Sequence, residues 1–222
     1  MKHAGVLIGL AVVLLFGCAT TPKIPEEVYG SDLDSVEQYI TNKYVPLFET
    51  DFLELKEPLE LALNGTLAVE NGKAVFTGTT DPHSILFVFE ALGKGQACYI
   101  RYKPLSGKWY SVSIESGEYQ TPSFSAISIM RNPEMAYEVY TTKGLTGVRK
   151  YWSKRQYNFR NTEYLILFEI DFEGKRIVRM FNDKGKYNTF TATDLVEDTS
   201  AHLLFKVQDG KSEMVKFKKL EY

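Results

Sequence analysis

The sequence predicts a mainly β domain, an antiparallel meander closing as a barrel or a sandwich, with one N-terminal amphipathic helix. Three observations carry this expectation. From Leu59 onward apolar residues recur with period two, as in Leu59, Leu61 and Leu63, and β-branched and aromatic residues dominate nearly to the C-terminus. Turn pairs such as Asn71-Gly72, Glu173-Gly174 and Asp209-Gly210 interrupt the runs. No connection is long enough for the helical crossover that parallel strands require.

Residues 1–17 read as a signal peptide. Lys2 and His3 give a short positive start, and Ala4 to Phe16 is almost wholly apolar. That run is too short for a spanning helix, which needs about 20 apolar residues. Leu15-Phe16-Gly17-Cys18 resembles the lipobox of bacterial lipoproteins. The resemblance implies cleavage between Gly17 and Cys18, a lipid on Cys18, and a chain held on a membrane of the bacterial cell envelope, facing away from the cytoplasm. It implies location and not activity. Several acyl chains hold a protein almost permanently, at about 0.8 kcal/mol per buried CH₂.

Residues 18–30 then read as the lipidated cysteine and a tether rich in Thr, Pro and Gly, and residues 31–222 as one β-rich domain. Ser31-Asp32-Leu33-Asp34 reads as a cap, and Leu33, Val36, Ile40, Tyr44 and Leu47 follow at helical spacing, so a helix is expected over about 32–48. Asn71-Gly72 should form a two-residue turn that pairs Glu70 with Lys73. Asp209-Gly210 should do the same for the last two strands, setting Lys206 opposite Glu213 and Leu204 opposite Val215. Ile85 to Phe89 and Tyr164 to Ile170 are apolar on both faces and read as central strands. On the next one-sided strand Tyr110, Val112 and Ile114 point inward, and Trp109, Ser111, Ser113 and Glu115 point away. A meander of this length hides its edges as a barrel, a sandwich or a small propeller. Ser106-Gly107-Lys108-Trp109-Tyr110 resembles the Gly-x-Trp of lipocalin-like barrels, which implies a tryptophan plugging a barrel end and a carrier of a lipid or small apolar ligand.

The chain carries 26 Lys+Arg against 28 Asp+Glu, and a net acidic balance argues against nucleic acid as a partner. With Cys18 lipidated, Cys98 is the one remaining thiol, so no internal disulfide forms. It alternates with Ile100 and Tyr102 and reads as a buried, inert thiol. Glu169 and Asp171 share a strand face at a spacing that glycosidase carboxylates use, but a cross-strand ion pair between Asp171 and Arg176 accounts for the pattern better. His83 and His202 have no second ligand at metal spacing, and no phosphate-cradling loop or nucleophile motif occurs. No catalytic residue, metal or cofactor is therefore expected, and a non-catalytic binding or structural domain is favoured over an enzyme with dispersed residues. One segment is polarised: between Lys143 and Arg160, cations interleave with aromatics. Arg149, Lys150, Tyr151, Trp152, Lys154 and Arg155 form the candidate binding patch, suited to a glycan, a lipid headgroup or an envelope protein. Strict period two places Arg149, Tyr151 and Arg155 on one side of that strand and Lys150, Trp152 and Lys154 on the other.

Replacing Cys18 by alanine is expected to abolish membrane association and leave the precursor uncleaved by lipoprotein signal peptidase. Equal incorporation of labelled palmitate into Cys18→Ala and wild-type protein would contradict this.

Overall fold

The computed structural model describes residues 32–54, 59–60, 65–79, 85–117, 121–131, 136–145, 147–155, 161–183, 187–192 and 201–222. The chain forms helix α1 (Leu33–Lys43), then strands β1 (Val45–Thr50), β2 (Leu59–Glu60), β3 (Gly65–Glu70), β4 (Lys73–Gly78) and β5 (Ile85–Leu92). There follow β6 (Gln96–Ser106), β7 (Trp109–Ser116), β8 (Ser125–Arg131), β9 (Ala136–Lys143) and β10 (Gly147–Arg155). The chain closes with β11 (Tyr164–Ile170), β12 (Arg176–Asn182), β13 (Tyr187–Ala192), β14 (Ala201–Gln208) and β15 (Gly210–Glu221).

The strands build two antiparallel sheets. Sheet I has the order β13-β12-β11-β6-β15-β4-β3, with β1 also paired to β15, and sheet II has the order β10-β9-β8-β7-β14-β5-β2. The sheets stack face to face, so of the architectures the pattern allowed the protein adopts the sandwich, and neither sheet closes into a barrel. Trp109, which a barrel of the lipocalin kind would use as an end plug, opens β7 half-exposed on the outer side of sheet II while Tyr110 points into the core. The meander is sequential within β3–β4, β7–β10 and β11–β13; elsewhere the chain crosses from one sheet to the other.

Period two explains the core. Cys98, Ile100 and Tyr102 of β6, Val112 and Ile114 of β7, Ile166 and Phe168 of β11, and Leu203 and Phe205 of β14 all lie between the sheets. Tyr102 and Phe205 meet edge to face across the gap with centroids 5.0 Å apart. Burial pushes the Cys98 thiol far up, which keeps it protonated and inert. Near the crossing from β14 to β15 the sheets approach so closely that a Cβ on Gly78 would lie 2.1 Å from the Val207 carbonyl oxygen, so only glycine fits there.

Both faces of β11 are buried, as expected of a central strand. Its inner face joins the inter-sheet core, and its outer face, Leu165 and Leu167, is covered by Leu33, Val36, Ile40 and Tyr44 of α1 and its C-cap. The molecule therefore has three layers, α1 on sheet I on sheet II. The other expected central strand, β5, does lie inside sheet II between β14 and β2, while its side chains fall outside the described residues.

Three local expectations change. The helix ends at Lys43 instead of near residue 48, because Val45 and Pro46 favour extended backbone and β1 pairs with the end of β15. Its N-cap is Asp32, whose carboxylate accepts from the Ser35 amide at 2.8 Å, and not Ser31. The Asn71-Gly72 hairpin forms with Glu70 opposite Lys73, both turn residues having positive φ. Asp209-Gly210 is not a hairpin: Lys206 pairs with Ser111 and Ile85 in sheet II, and Glu213 with Lys103 and Val75 in sheet I. The pair turns the chain between sheets, with Asp209 at φ 47° and its amide held by the Thr79 carbonyl.

Candidate functional site

The sandwich has two outer faces, and the sequence dresses them differently. On sheet I, α1 lies over β6, β11 and β12, and the charged residues beneath it are engaged with one another. Glu37 of α1 receives Arg101 at 2.5 Å, Lys216 at 2.6 Å and the Tyr99 hydroxyl at 2.8 Å. Arg101 also holds Asp34 at 2.7 Å and Glu163 at 2.6 Å. Burial pushes the Glu37 carboxyl up, but the hydrogen bonds from Lys216, Arg101 and Tyr99 outweigh it and hold the group below the ordinary glutamate value. A cavity of about 290 Å³ opens beside this cluster between Asp34, Glu37, Gln38, Thr41 and Lys216. The charges that line it satisfy each other.

Further along β11, Glu169 is completely buried. It forms an ion pair with Arg179, and its Oε1 accepts from the hydroxyls of Tyr44 at 3.1 Å and Tyr222 at 2.8 Å. Burial raises both phenols, so each remains a donor. The expected pair of Asp171 with Arg176 does not form. Asp171 caps its own turn, accepting from the amides of Glu173 at 2.9 Å and Lys175 at 2.8 Å. Arg176 points to the opposite side, between the sheets, where it reaches the Ser125 carbonyl and the Ser116 hydroxyl. Arg176 pairs in register with Ile170 and Arg179 with Leu167, and it is Leu167 that lies on the face of Glu169. Glu169 and Asp171 thus share a face but serve structure: one carboxylate is saturated under the helix, the other closes a turn.

The outer face of sheet II is built differently. Opposite the core residues of β7, β8 and β14 stand Ser111, Ser113, Ala126, Ser128 and Leu204, which together form a floor of mostly short side chains. Trp109, Glu115, Tyr140, Thr142, Lys206 and Gln208 stand around it partly exposed, with His202 exposed. Glu115 accepts from the Ser113 hydroxyl at 2.7 Å and from Lys206 at 3.2 Å, so the charge on this face is internally balanced. The one helix among the described residues lies on sheet I and leaves this face clear.

This architecture has precedents. The chain is similar to a protein with a galectin-like fold from Bacillus subtilis, with TM-score 0.57 and 9% identity over 80% of this chain and 98% of that one. The catalytic domain of an endo-1,3-beta-glucanase (laminarinase) from Thermotoga petrophila RKU-1 gives TM-score 0.57 and 13% identity over 80% and 98% of the two chains. A prokaryotic beta-1,3-1,4-glucanase (lichenase) from a mouse hindgut metagenome gives 0.52 and 13% over 78% and 98%. At these identities the likeness is one of fold. No family model matches the chain, and no curated protein matches it.

Arg149, Lys150, Tyr151, Trp152, Lys154 and Arg155 all fall on β10, the edge strand of sheet II beside β9. The register shifts between Lys150 and Trp152, so uninterrupted period two, on which the two-sided division of this patch rested, is not kept. The side chains of 148–155, and residues 1–31 with Gly17 and Cys18, lie outside the described residues. Sequence reasoning placed Ser111, Ser113 and Glu115 on an outward face and assigned them no role. The signal that sets them apart is the run of serines on β7 and β8 where a solvated strand usually carries long polar side chains.

If Glu169 is structural, Glu169→Gln is expected to destabilise the domain by about 3–5 kcal/mol in urea unfolding, because Arg179 is left buried without a counter-charge. A loss below about 1 kcal/mol, the scale of a solvated pair, would contradict this assignment.

Proposed function

We propose that this protein is a lipid-anchored component of the bacterial envelope whose β-sandwich binds a glycan, without cleaving it, on the outer face of sheet II. The observation that carries the reading is the contrast between the two faces: α1 lies over β6, β11 and β12 of sheet I, whereas the outer face of sheet II carries the partly exposed Trp109, Tyr140, Thr142 and Gln208 around a buried layer of serines. Aromatic rings beside hydroxyl and amide groups, as Trp109 and Tyr140 stand beside Thr142 and Gln208, suit sugar rings, which offer both hydrogen-bonding edges and C–H faces. The balanced Glu115–Lys206 pair favours an uncharged glycan over a strongly anionic one.

Two structural neighbours act in the reading's favour by what their names say of them, both being β-glucanases. Against cleavage stands the carboxylate inventory. Glycosidases set two carboxyl groups about 5–9.5 Å apart. On the outer face of sheet II, Glu115 is the carboxylate among the described side chains; the register position of Glu138 lies two strands and four residues away, about 16 Å by strand geometry. The sequence's alternative of a lipocalin-like carrier needs a closed barrel around an apolar cavity, and the aromatic packing between two open sheets gives it no support. The anchor at Cys18 supplies the location.

Titration with soluble β-glucan oligosaccharides, followed by calorimetry, is expected to show saturable binding that weakens about tenfold or more in Trp109→Ala, the loss of one stacked aromatic. Reducing-sugar release is expected to stay at the level of a no-protein control. Binding unchanged in Trp109→Ala, or steady hydrolysis abolished by Glu115→Gln, would overturn the reading.

A further inference from the structure

We infer that one end of the sandwich is a bilayer-docking rim, formed by Val45, Leu145 and Phe172 with Lys43, Lys94, Lys143 and Lys175 around them. The inference rests on the lipid anchor proposed above, and it adds an orientation: this end faces the membrane surface that holds the acyl chains.

The three apolar side chains are among the most exposed in the described molecule, at 61% for Val45, 65% for Leu145 and 54% for Phe172. The backbone brings them to the same end. Val45 pairs with Glu221, the Tyr222 amide donates to the Gly95 carbonyl, and the Gly95 amide donates to the Ile170 carbonyl just before the turn that carries Phe172. The Tyr222 ring links the group, 4.9 Å from Tyr44 and 5.6 Å from Phe172. Arg176, at the base of the Phe172 turn, reaches Ser116 and Ser125, and Ser125 pairs with Lys143 at the start of the turn that carries Leu145. Lys43, Lys94 and Lys143 are exposed, and Lys175 is partly so beside Glu173. Among the described residues, Glu173 and Glu221 are the exposed acids of this end, beside four lysines.

Exposed apolar tips ringed by lysines and tyrosines are the chemistry of a protein surface at a lipid headgroup layer: the apolar tips enter the acyl boundary, and the lysines stay at the phosphates. The connection permits it. Residues 18–31 can span at most about 45–50 Å, whereas α1 is only about 16 Å long, so a chain anchored at Cys18 and entering at Asp32 reaches a bilayer lying at the other end of the helix. Tethering keeps the domain at high local concentration near lipid, so three side chains suffice without being a stable anchor by themselves. In this orientation the glycan face of sheet II stands roughly along the membrane normal.

The test places an environment-sensitive fluorophore (NBD) on Leu145→Cys, Phe172→Cys and, at the opposite end, Lys108→Cys; Cys98 is fully buried and does not compete. The full chain is expressed in a bacterium, checked for acylation by mass spectrometry, and reconstituted into phosphatidylethanolamine/phosphatidylglycerol vesicles. In parallel, residues 18–222 with Cys18→Ala and an N-terminal histidine tag, which keep every described element, are held on vesicles of the same lipids plus a nickel-chelating lipid. Blue-shifted, several-fold brighter emission at 145 and 172 but not at 108, in both arms, is the expected result, with Phe172→Ser lowering vesicle affinity of the untagged, unacylated protein about tenfold. Water-like emission at all three positions on vesicle-bound protein overturns the rim while leaving the anchor standing. Absence of an acyl chain overturns the anchor, and the chelating-lipid arm then decides the rim by the same criterion.

Discussion

Glu169 and Arg179 meet beneath α1, cut off from water, and the arrangement of the rest of the molecule follows from keeping them there. An ion buried without a partner costs several kcal/mol, so the pair demands both members and the hydroxyls of Tyr44 and Tyr222 that complete the carboxylate's bonds. Tyr44 is the C-cap of α1 and Tyr222 follows the last strand, so this one cluster joins the beginning of the domain to its end across the middle of sheet I. The apolar residues of the helix provide the driving force for closing it, at roughly 1.5–3 kcal/mol for each fully buried side chain such as Val36 and Ile40. The second cluster, Glu37 with Arg101, Lys216 and Tyr99, fixes the helix in register at its other end.

The part of sheet I that α1 covers, over β6, β11 and β12, cannot also receive a ligand. Sheet I spends its outer face on the helix. Among the described residues no helix lies on the outer face of sheet II, and the serines at its centre are buried among the longer side chains around them. The carboxylates that look most like a catalytic pair in the sequence, Glu169 and Asp171, are on the closed sheet, while the open one holds Glu115 neutralised by Lys206.

Much of this was legible in the residues. The period-two pattern identified the β class, the inward set Tyr110, Val112 and Ile114, the two-sided burial of β11, the hairpin at Asn71-Gly72 and the inert Cys98. What alternation cannot supply is which sheet a strand joins. Lys206 and Glu213 flank a turn of hairpin composition, yet their strands part into opposite sheets, because β15 finds β6 and β4 as partners instead of β14. The same gap hid the site. The ion pair was expected at Asp171 with Arg176 and instead joins Glu169 to Arg179, because the partner depends on which side of β12 each arginine presents, a matter of register fixed by the turn at Glu173-Gly174. The serines of β7 and β8 acquire meaning only once the helix is seen to lie on the other sheet.

The central claim is that α1 is a fixed part of the sandwich and not a detachable lid, so that the outer face of β6, β11 and β12 stays covered at all times. Native-state hydrogen exchange measures this directly, by comparing the opening free energy of the α1 amides with that of β11. The account predicts that amides from Val36 to Lys43 exchange only through the same global unfolding as β11, with the same dependence on denaturant. Exchange of α1 through a separate, low-energy opening while β11 stays protected would contradict it, and would expose Glu169 and the face of sheet I as a second candidate site.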